Sequence, residues 1–194
     1  MTLILASTSA IRRAMLDQAG VVYGVAAPDI DEGALQAGHD GQDAELALTL
    51  AEAKAIDVSA GGSDDWVIGG DSVVAVEGRR FSKPHSRENA AEHLRFFSGK
   101  TMHLFSAVAL AQGGIVAWNF VGEAILHVRP LSDRFIADYL DFEWPDVAYC
   151  VGVFRMEGRG VTLFDQVEGD HHTILGMPLL PLLGALRERD LVAA

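Results

Sequence analysis

The sequence predicts an α/β protein on a mixed, curved sheet, and three observations carry that expectation. Apolar runs of strand length alternate with stretches of helical periodicity along the whole chain. Two long β-rich runs, Thr101 to Ala111 and Ile115 to Val128, flank Gly113-Gly114 and read as a hairpin, which supplies an antiparallel part. No repeat, low-complexity tract or linker interrupts this order, and 194 residues that are 49% hydrophobic can bury a core in one large domain or two closely packed lobes.

The elements follow from local signals. Thr2 to Ala6 reads as a short buried strand, Ser7-Thr8-Ser9 as a polar loop, and Ile11 to Gln18 as a helix closed by Gly20. Val21 to Ala27 reads as a second strand ending at Pro28, and Asp29-Ile30-Asp31-Glu32-Gly33 as an acidic turn. Asp43 is placed to cap a long helix from Ala44 to Val58, with Leu46, Leu50, Ala53 and Ala55 as its apolar stripe. Trp66-Val67-Ile68 begins a strand that breaks at Gly69-Gly70-Asp71, resumes over Ser72 to Val76 and turns at Glu77-Gly78. Ser86 and Asn89 open a helix that runs through Phe97 and stops at Ser98-Gly99. Beyond the hairpin, Ser132 caps a helix to Phe142, a β segment spans Val161 to Val167, and a final helix starts beside Pro178.

Composition excludes several classes of function. A net charge of −12 leaves little basic surface for a phosphate backbone, so no nucleic-acid partner is expected. No apolar run approaches the roughly 20 residues that cross a bilayer, and the start Met1-Thr2-Leu3-Ile4-Leu5-Ala6 lacks a basic leader, so the expectation is a soluble, cytoplasmic protein with no membrane partner. Cys150 is the only cysteine, which rules out an intramolecular disulfide and fits a reducing compartment. Its setting, Val147-Ala148-Tyr149-Cys150-Val151, has no adjacent His or Lys and favours a buried structural thiol over a nucleophile.

Against that acidic background the few cations become informative. The lysines are Lys54, Lys83 and Lys100 alone. Ser7-Thr8-Ser9-Ala10-Ile11-Arg12-Arg13 puts hydroxyls and backbone N–H groups at a helix N-terminus beside two guanidinium groups, an arrangement that suits phosphate; ordinary capping by Ser9 with two solvated arginines is the alternative. Asp71, flanked by glycines in an apolar context, is either a group exposed to metal or water or a simple turn aspartate. Lys54 on the long helix and Lys83 in Phe81-Ser82-Lys83-Pro84 either neutralise phosphate or lie solvated on the surface. Asp29, Asp31 and Glu32 suit a hard cation or a charged turn, whereas His171-His172 lacks a helical i,i+4 partner and reads as loop.

In content and order the motifs resemble the Maf family. They are Leu3-Ile4-Leu5-Ala6-Ser7-Thr8-Ser9 with Arg12-Arg13, Asp31-Glu32, Leu50-Ala51-Glu52-Ala53-Lys54-Ala55, Gly70-Asp71-Ser72-Val73-Val74 and Lys83-Pro84, followed by Ser98-Gly99-Lys100, Glu168-Gly169 and Gly176-Met177-Pro178-Leu179. The resemblance covers almost the whole chain. It implies one Maf/ITPase-like domain over 1–194, with two lobes around a nucleotide cleft, in chains that are often homodimeric. It also implies hydrolysis of a nucleoside triphosphate between its α- and β-phosphates, dependent on a divalent cation such as Mg²⁺, Mn²⁺ or Co²⁺. On matching positions, Asp71 would be the general base, Ser9, Arg12, Arg13, Lys54 and Lys83 would hold phosphates, and Glu32 with Asp71 would serve the metal.

For the base, the resemblance puts Ile11, Ser72 and Glu157 at the specificity positions. Gly152 to Phe164, with Phe154, Glu157 and Thr162-Leu163-Phe164, looks like the 7-methyl-GTP branch, whereas the pyrimidine branch usually has Tyr and Gln at positions 154 and 157. A carboxylate suits the two donors on one edge of guanine. Ile11 replaces the usual aromatic and Ser72 the usual Gln of that branch, so a dTTP/UTP pyrophosphatase is the alternative. A non-catalytic nucleotide-binding regulator of cell division is the alternative of another class.

Overall fold

In the computed structural model, which describes residues 2–61 and 64–193, the elements appear largely where local signals set them. In order they are β1 (Leu3–Ala6), α1 (Ala10–Gln18), β2 (Gly24–Val25), α2 (Glu32–Ala37), α3 (Asp43–Ser59), β3 (Trp66–Val76), β4 (Arg79–Phe81), α4 (Arg87–Phe97), β5 (Thr101–Gln112), β6 (Ile115–Val128), α5 (Asp133–Glu143), β7 (Phe164–Glu168), α6 (His171–Ile174) and α7 (Leu179–Arg187). The sheet is mixed, as the sequence predicts. Its order is β2-β1-β3-β5-β6-β7 with β4 on β3; β1 is parallel to β2 and β3, while β4 on β3 and β7 on β6 are antiparallel. Ser86 and Ser132 cap α4 and α5 by accepting from Asn89 N at 3.1 Å and Phe135 N at 3.2 Å. Gly113 and Gly114, at φ 58° and 79°, make the tight hairpin turn. Among the described residues no helix is long and apolar enough to cross a membrane.

The chain forms two units, with boundaries inside β3, β5 and β6 and between β7 and α6. The first comprises Met1–Ser72, Phe105–Gly122 and Asp170–Ala194; the second comprises Val73–Leu104 and Glu123–Gly169. In the first unit Leu5, Met15, Leu16, Ile68, Val108, Leu110, Leu182 and Leu186 form the main core, in which α1 and α7 pack on β1, β3 and β5. Fully burying one such side chain contributes about 2 kcal/mol. In the second unit α4 packs on α5, Arg95 Nε donates to Asp133 at 2.6 Å, and Phe81 sits edge-on to Phe97 with ring centroids 4.7 Å apart.

Several expectations need correction. β3 does not break at Gly69-Gly70-Asp71 but runs unbroken from Trp66 to Val76. A Cβ on Gly69 would lie 2.1 Å from Ala51 O and 2.7 Å from Ala55 N, so this glycine lets α3 lie against the strand. Gly69→Ala is expected to destabilise the fold by about 3 kcal/mol, read as a lower midpoint in urea unfolding. The strand expected over Val21 to Ala27 shrinks to Gly24–Val25 because Val21 closes α1, its N–H donating to Leu16 O at 3.0 Å, and Val22 is 89% exposed. Asp29 to Gly33 is not all turn: Asp31 accepts from Ala34 N at 2.9 Å and starts α2. The N-cap of α3 is Gln42 rather than Asp43, with Gln42 N donating to Glu45 at 3.1 Å.

Further along, residues Arg159–Leu163 form a 3₁₀ turn, so the expected strand from Val161 begins only at Phe164. Thr162 Oγ1 donates to Arg159 O at 2.7 Å, and Gly160 packs so closely on Arg155 that a Cβ would lie 2.4 Å from its carbonyl. His171-His172 is helical, because Asp170 caps α6 by accepting from Thr173 N at 2.8 Å.

Candidate active site

The buried stripe of α3 is Leu46, Ala47, Leu50, Ala51, Lys54 and Ala55. Ala53, expected on it, is half-buried, and Lys54 takes the i+4 place after Leu50. A lysine is thus carried into the interface where Gly69 admits α3. Asp71, two residues beyond Gly69, shares its face of β3. The result is an ion pair: Lys54 Nζ lies 2.5 Å from Asp71 Oδ1 and 2.9 Å from Glu32 Oε1. The lysine side chain is 8% exposed, that of Asp71 12% and that of Glu32 44%, so Glu32 is the solvated member. Of the acidic turn only Glu32 reaches the lysine. Asp31 caps α2, and Asp57 accepts the Asp29 N–H at 2.8 Å.

The alternate residues of β3, Gly70 and Ser72, face Arg12. A Cβ on Gly70 would lie 3.3 Å from Arg12 Nε. The guanidinium donates to Gly176 O at 2.9 Å, to Ser72 Oγ at 3.2 Å and to Ser7 Oγ at 3.4 Å. Burial lowers its pKa from the ordinary arginine value, and the negative charges of Asp71 and Glu32 oppose that shift. β1 ends where Ala6 pairs with Gly69, so Ser7-Thr8-Ser9 crosses at the C-terminal end of a parallel strand, the place where open α/β sheets bind ligands. Ser9 occupies the N-cap of α1 without a side-chain cap bond, so ordinary capping does not account for it.

The other expected residues take no part in these hydrogen bonds. Arg13 is exposed and lines a surface recess with Asp17, Val22, Tyr23 and Val25, while Ile11 is half-buried on α1. Lys83 and Glu157 belong to the second unit and are exposed. Both act on the thiol of Cys150, which is half-buried rather than buried as expected. Burial pushes that thiol up to about 11; the charge of Glu157 adds to the rise, and Arg155 and Lys83 oppose it. A thiol of this kind stays protonated and unreactive near neutral pH.

Two functional candidates carried no local sequence signal strong enough to single them out. Glu143, buried at the end of α5, accepts Arg159 N at 2.9 Å and pairs with Arg155 at 3.4 Å; Tyr139 Oη donates to Val153 O at 3.0 Å. These contacts clamp both sides of the turn that carries Glu157. Ser106 is a hydroxyl inside the apolar run of β5, 3.0 Å from Ser72 Oγ. Among the described residues no group of three or more His, Cys, Asp or Glu is arranged to hold a metal, so Asp71 and Glu32 stand as a pair of carboxylates.

Comparisons with known proteins span nearly the whole chain. A protein from Sphingopyxis alaskensis named nucleoside triphosphate pyrophosphatase is 47% identical over 195 residues, covering 98% of each chain. One from Rhizobium etli named 7-methyl-GTP pyrophosphatase is 44% identical over 189 residues, covering 96% of this chain and 95% of its own. The solved structure of the Staphylococcus aureus Ham1 protein aligns over 97% of this chain and 98% of its own, at 15% identity and a TM-score of 0.43. The family described as Maf-like protein matches residues 2–189, and with relatives this similar over such a length, the chain belongs to the Maf family.

Proposed function

We propose that this protein is a nucleoside triphosphate pyrophosphatase that cleaves between the α- and β-phosphates, with 7-methyl-GTP as its substrate. The observation that carries the reading is Lys54, held between Asp71 and Glu32 on the far side of β3's glycines from Arg12. Cations flanking a largely buried carboxylate suit an attack by water on a polyphosphate. In that step a new bond forms between the water oxygen and the α-phosphorus, the α–β bridging bond breaks, and the proton passes to Asp71. The products are a nucleoside monophosphate and pyrophosphate. Lys54 orients Asp71 through Oδ1 and so leaves Oδ2 for the water, while Arg12 and the α1 N-terminus with Ser9 hold phosphate oxygens.

Asp71 and Glu32, which converge on Lys54 Nζ, are hard oxygen donors of the kind that would hold Mg²⁺ or Mn²⁺, an ion that takes one or two carboxylates and fills its shell with water and phosphate oxygens. When bound there, such a cation would offset negative charge on the phosphates.

The base is assigned through Glu157, whose carboxylate accepts from the guanine edge and favours the positive charge of the methylated ring. The 7-methyl-GTP name of the Rhizobium etli relative supports this choice. A dTTP/UTP pyrophosphatase is the second reading, favoured by aliphatic Ile11 in place of an aromatic ring. Pyrophosphate release measured across a nucleotide panel separates them. The wild type is expected to prefer 7-methyl-GTP, and Glu157→Gln to lower that preference at least about tenfold. Turnover of dTTP and UTP with none of methylated GTP would overturn the substrate assignment.

A further inference from the structure

A buried hydroxyl beside Ser72 has no part in the roles assigned so far. Ser106 is 0% exposed on β5, and its hydroxyl meets one partner among the described residues, Ser72 Oγ at 3.0 Å. Counting protons fixes the direction of that bond. A guanidinium only donates, so Arg12 occupies one acceptor site on Ser72 Oγ. Ser72 has a single proton, with Gly176 O at 3.4 Å and Ser106 Oγ as its possible acceptors. If Ser72 donated to Ser106, the Ser106 proton would be buried without an acceptor, which proteins avoid. The satisfied order is Ser106 to Ser72, then Ser72 to Gly176 O, which also receives Arg12 Nε at 2.9 Å. Gly176, at φ 105°, lies so close that a Cβ there would stand 3.3 Å from Ser72 Oγ.

We propose that Ser106 is a positioning residue that orients Ser72 and, through it, the Arg12 guanidinium for a phosphate. The proposal rests on Arg12 being a phosphate ligand. Three bonds, to Gly176, Ser7 and Ser72, use three of the five N–H donors and leave one on each terminal nitrogen, a pair that matches two phosphate oxygens. Ser72 then contributes through Arg12 and not by reading the base, since its own proton is committed to Gly176 O.

The test is a double-mutant cycle on KM for the nucleoside triphosphate, with thermal melts to confirm folding. Ser106→Ala is expected to raise KM about tenfold with a smaller change in kcat, and Ser106→Thr, which keeps the hydroxyl, to restore KM to within about twofold. In an Arg12→Gln background, Ser106→Ala is expected to have no further effect. If Arg12→Gln leaves KM unchanged, the phosphate reading of Arg12 fails. If Arg12→Gln raises KM but Ser106→Ala acts equally in both backgrounds or not at all, the positioning role fails while that reading stands. Should the alanine protein not fold, Ser106→Cys, similar in size and weak as a donor, replaces it in the same cycle with the same expected outcomes.

Discussion

Asp71→Asn is expected to cut turnover about 1,000-fold while leaving the protein folded. The amide keeps the size of the carboxylate, and its oxygen still accepts from Lys54, which also retains Glu32 at 2.9 Å. What disappears is the capacity to take a proton from water. The check is kcat alongside a thermal melt. Turnover within a few-fold of wild type would remove Asp71 as the base, and a collapsed melt would make its role chiefly structural.

Lys54→Met is expected to damage both stability and activity, because one ammonium serves two carboxylates. Removing the partner of a buried charge typically costs about 3 kcal/mol or more. Here the cost falls on Asp71, whose side chain is 12% exposed, rather than on Glu32, which at 44% stays hydrated. Urea unfolding reads the first effect and pyrophosphate release at saturating substrate the second; turnover is expected to fall at least about 100-fold. Equal stability in the wild type and the methionine variant would show that the ion pair does not hold α3 to β3.

The contrast between these two residues explains what the amino-acid order could and could not reveal. Strand and helix alternation, the serine caps of α4 and α5 and the glycine hairpin were legible because each depends on a few adjacent residues. Gly69 and Gly70 looked like a break because their purpose is distant: one admits Ala51 and Ala55 of α3, the other Arg12 of α1. The burial of Lys54 was readable from its i+4 relation to Leu50, yet the usual exposure of lysine argued the other way. Arg12 and Arg13 were indistinguishable as neighbours, but helix geometry turns them about 100° apart, and only Arg12 meets Ser72 and Gly176. Ser106 left a fainter trace, a hydroxyl in the apolar run Ala107 to Ala111 and Leu104, and Glu143 a carboxylate at a helix end that folds back on Arg159.

The chemistry is tested most directly by identifying the products formed from nucleoside triphosphates, 7-methyl-GTP among them, in water labelled with heavy oxygen and supplied with Mg²⁺ or Mn²⁺. Pyrophosphate and nucleoside monophosphate in equal amounts, with the label on the monophosphate, is the expected result. Release of inorganic phosphate and a diphosphate, or tight nucleotide binding with no turnover under single-turnover conditions, would contradict it.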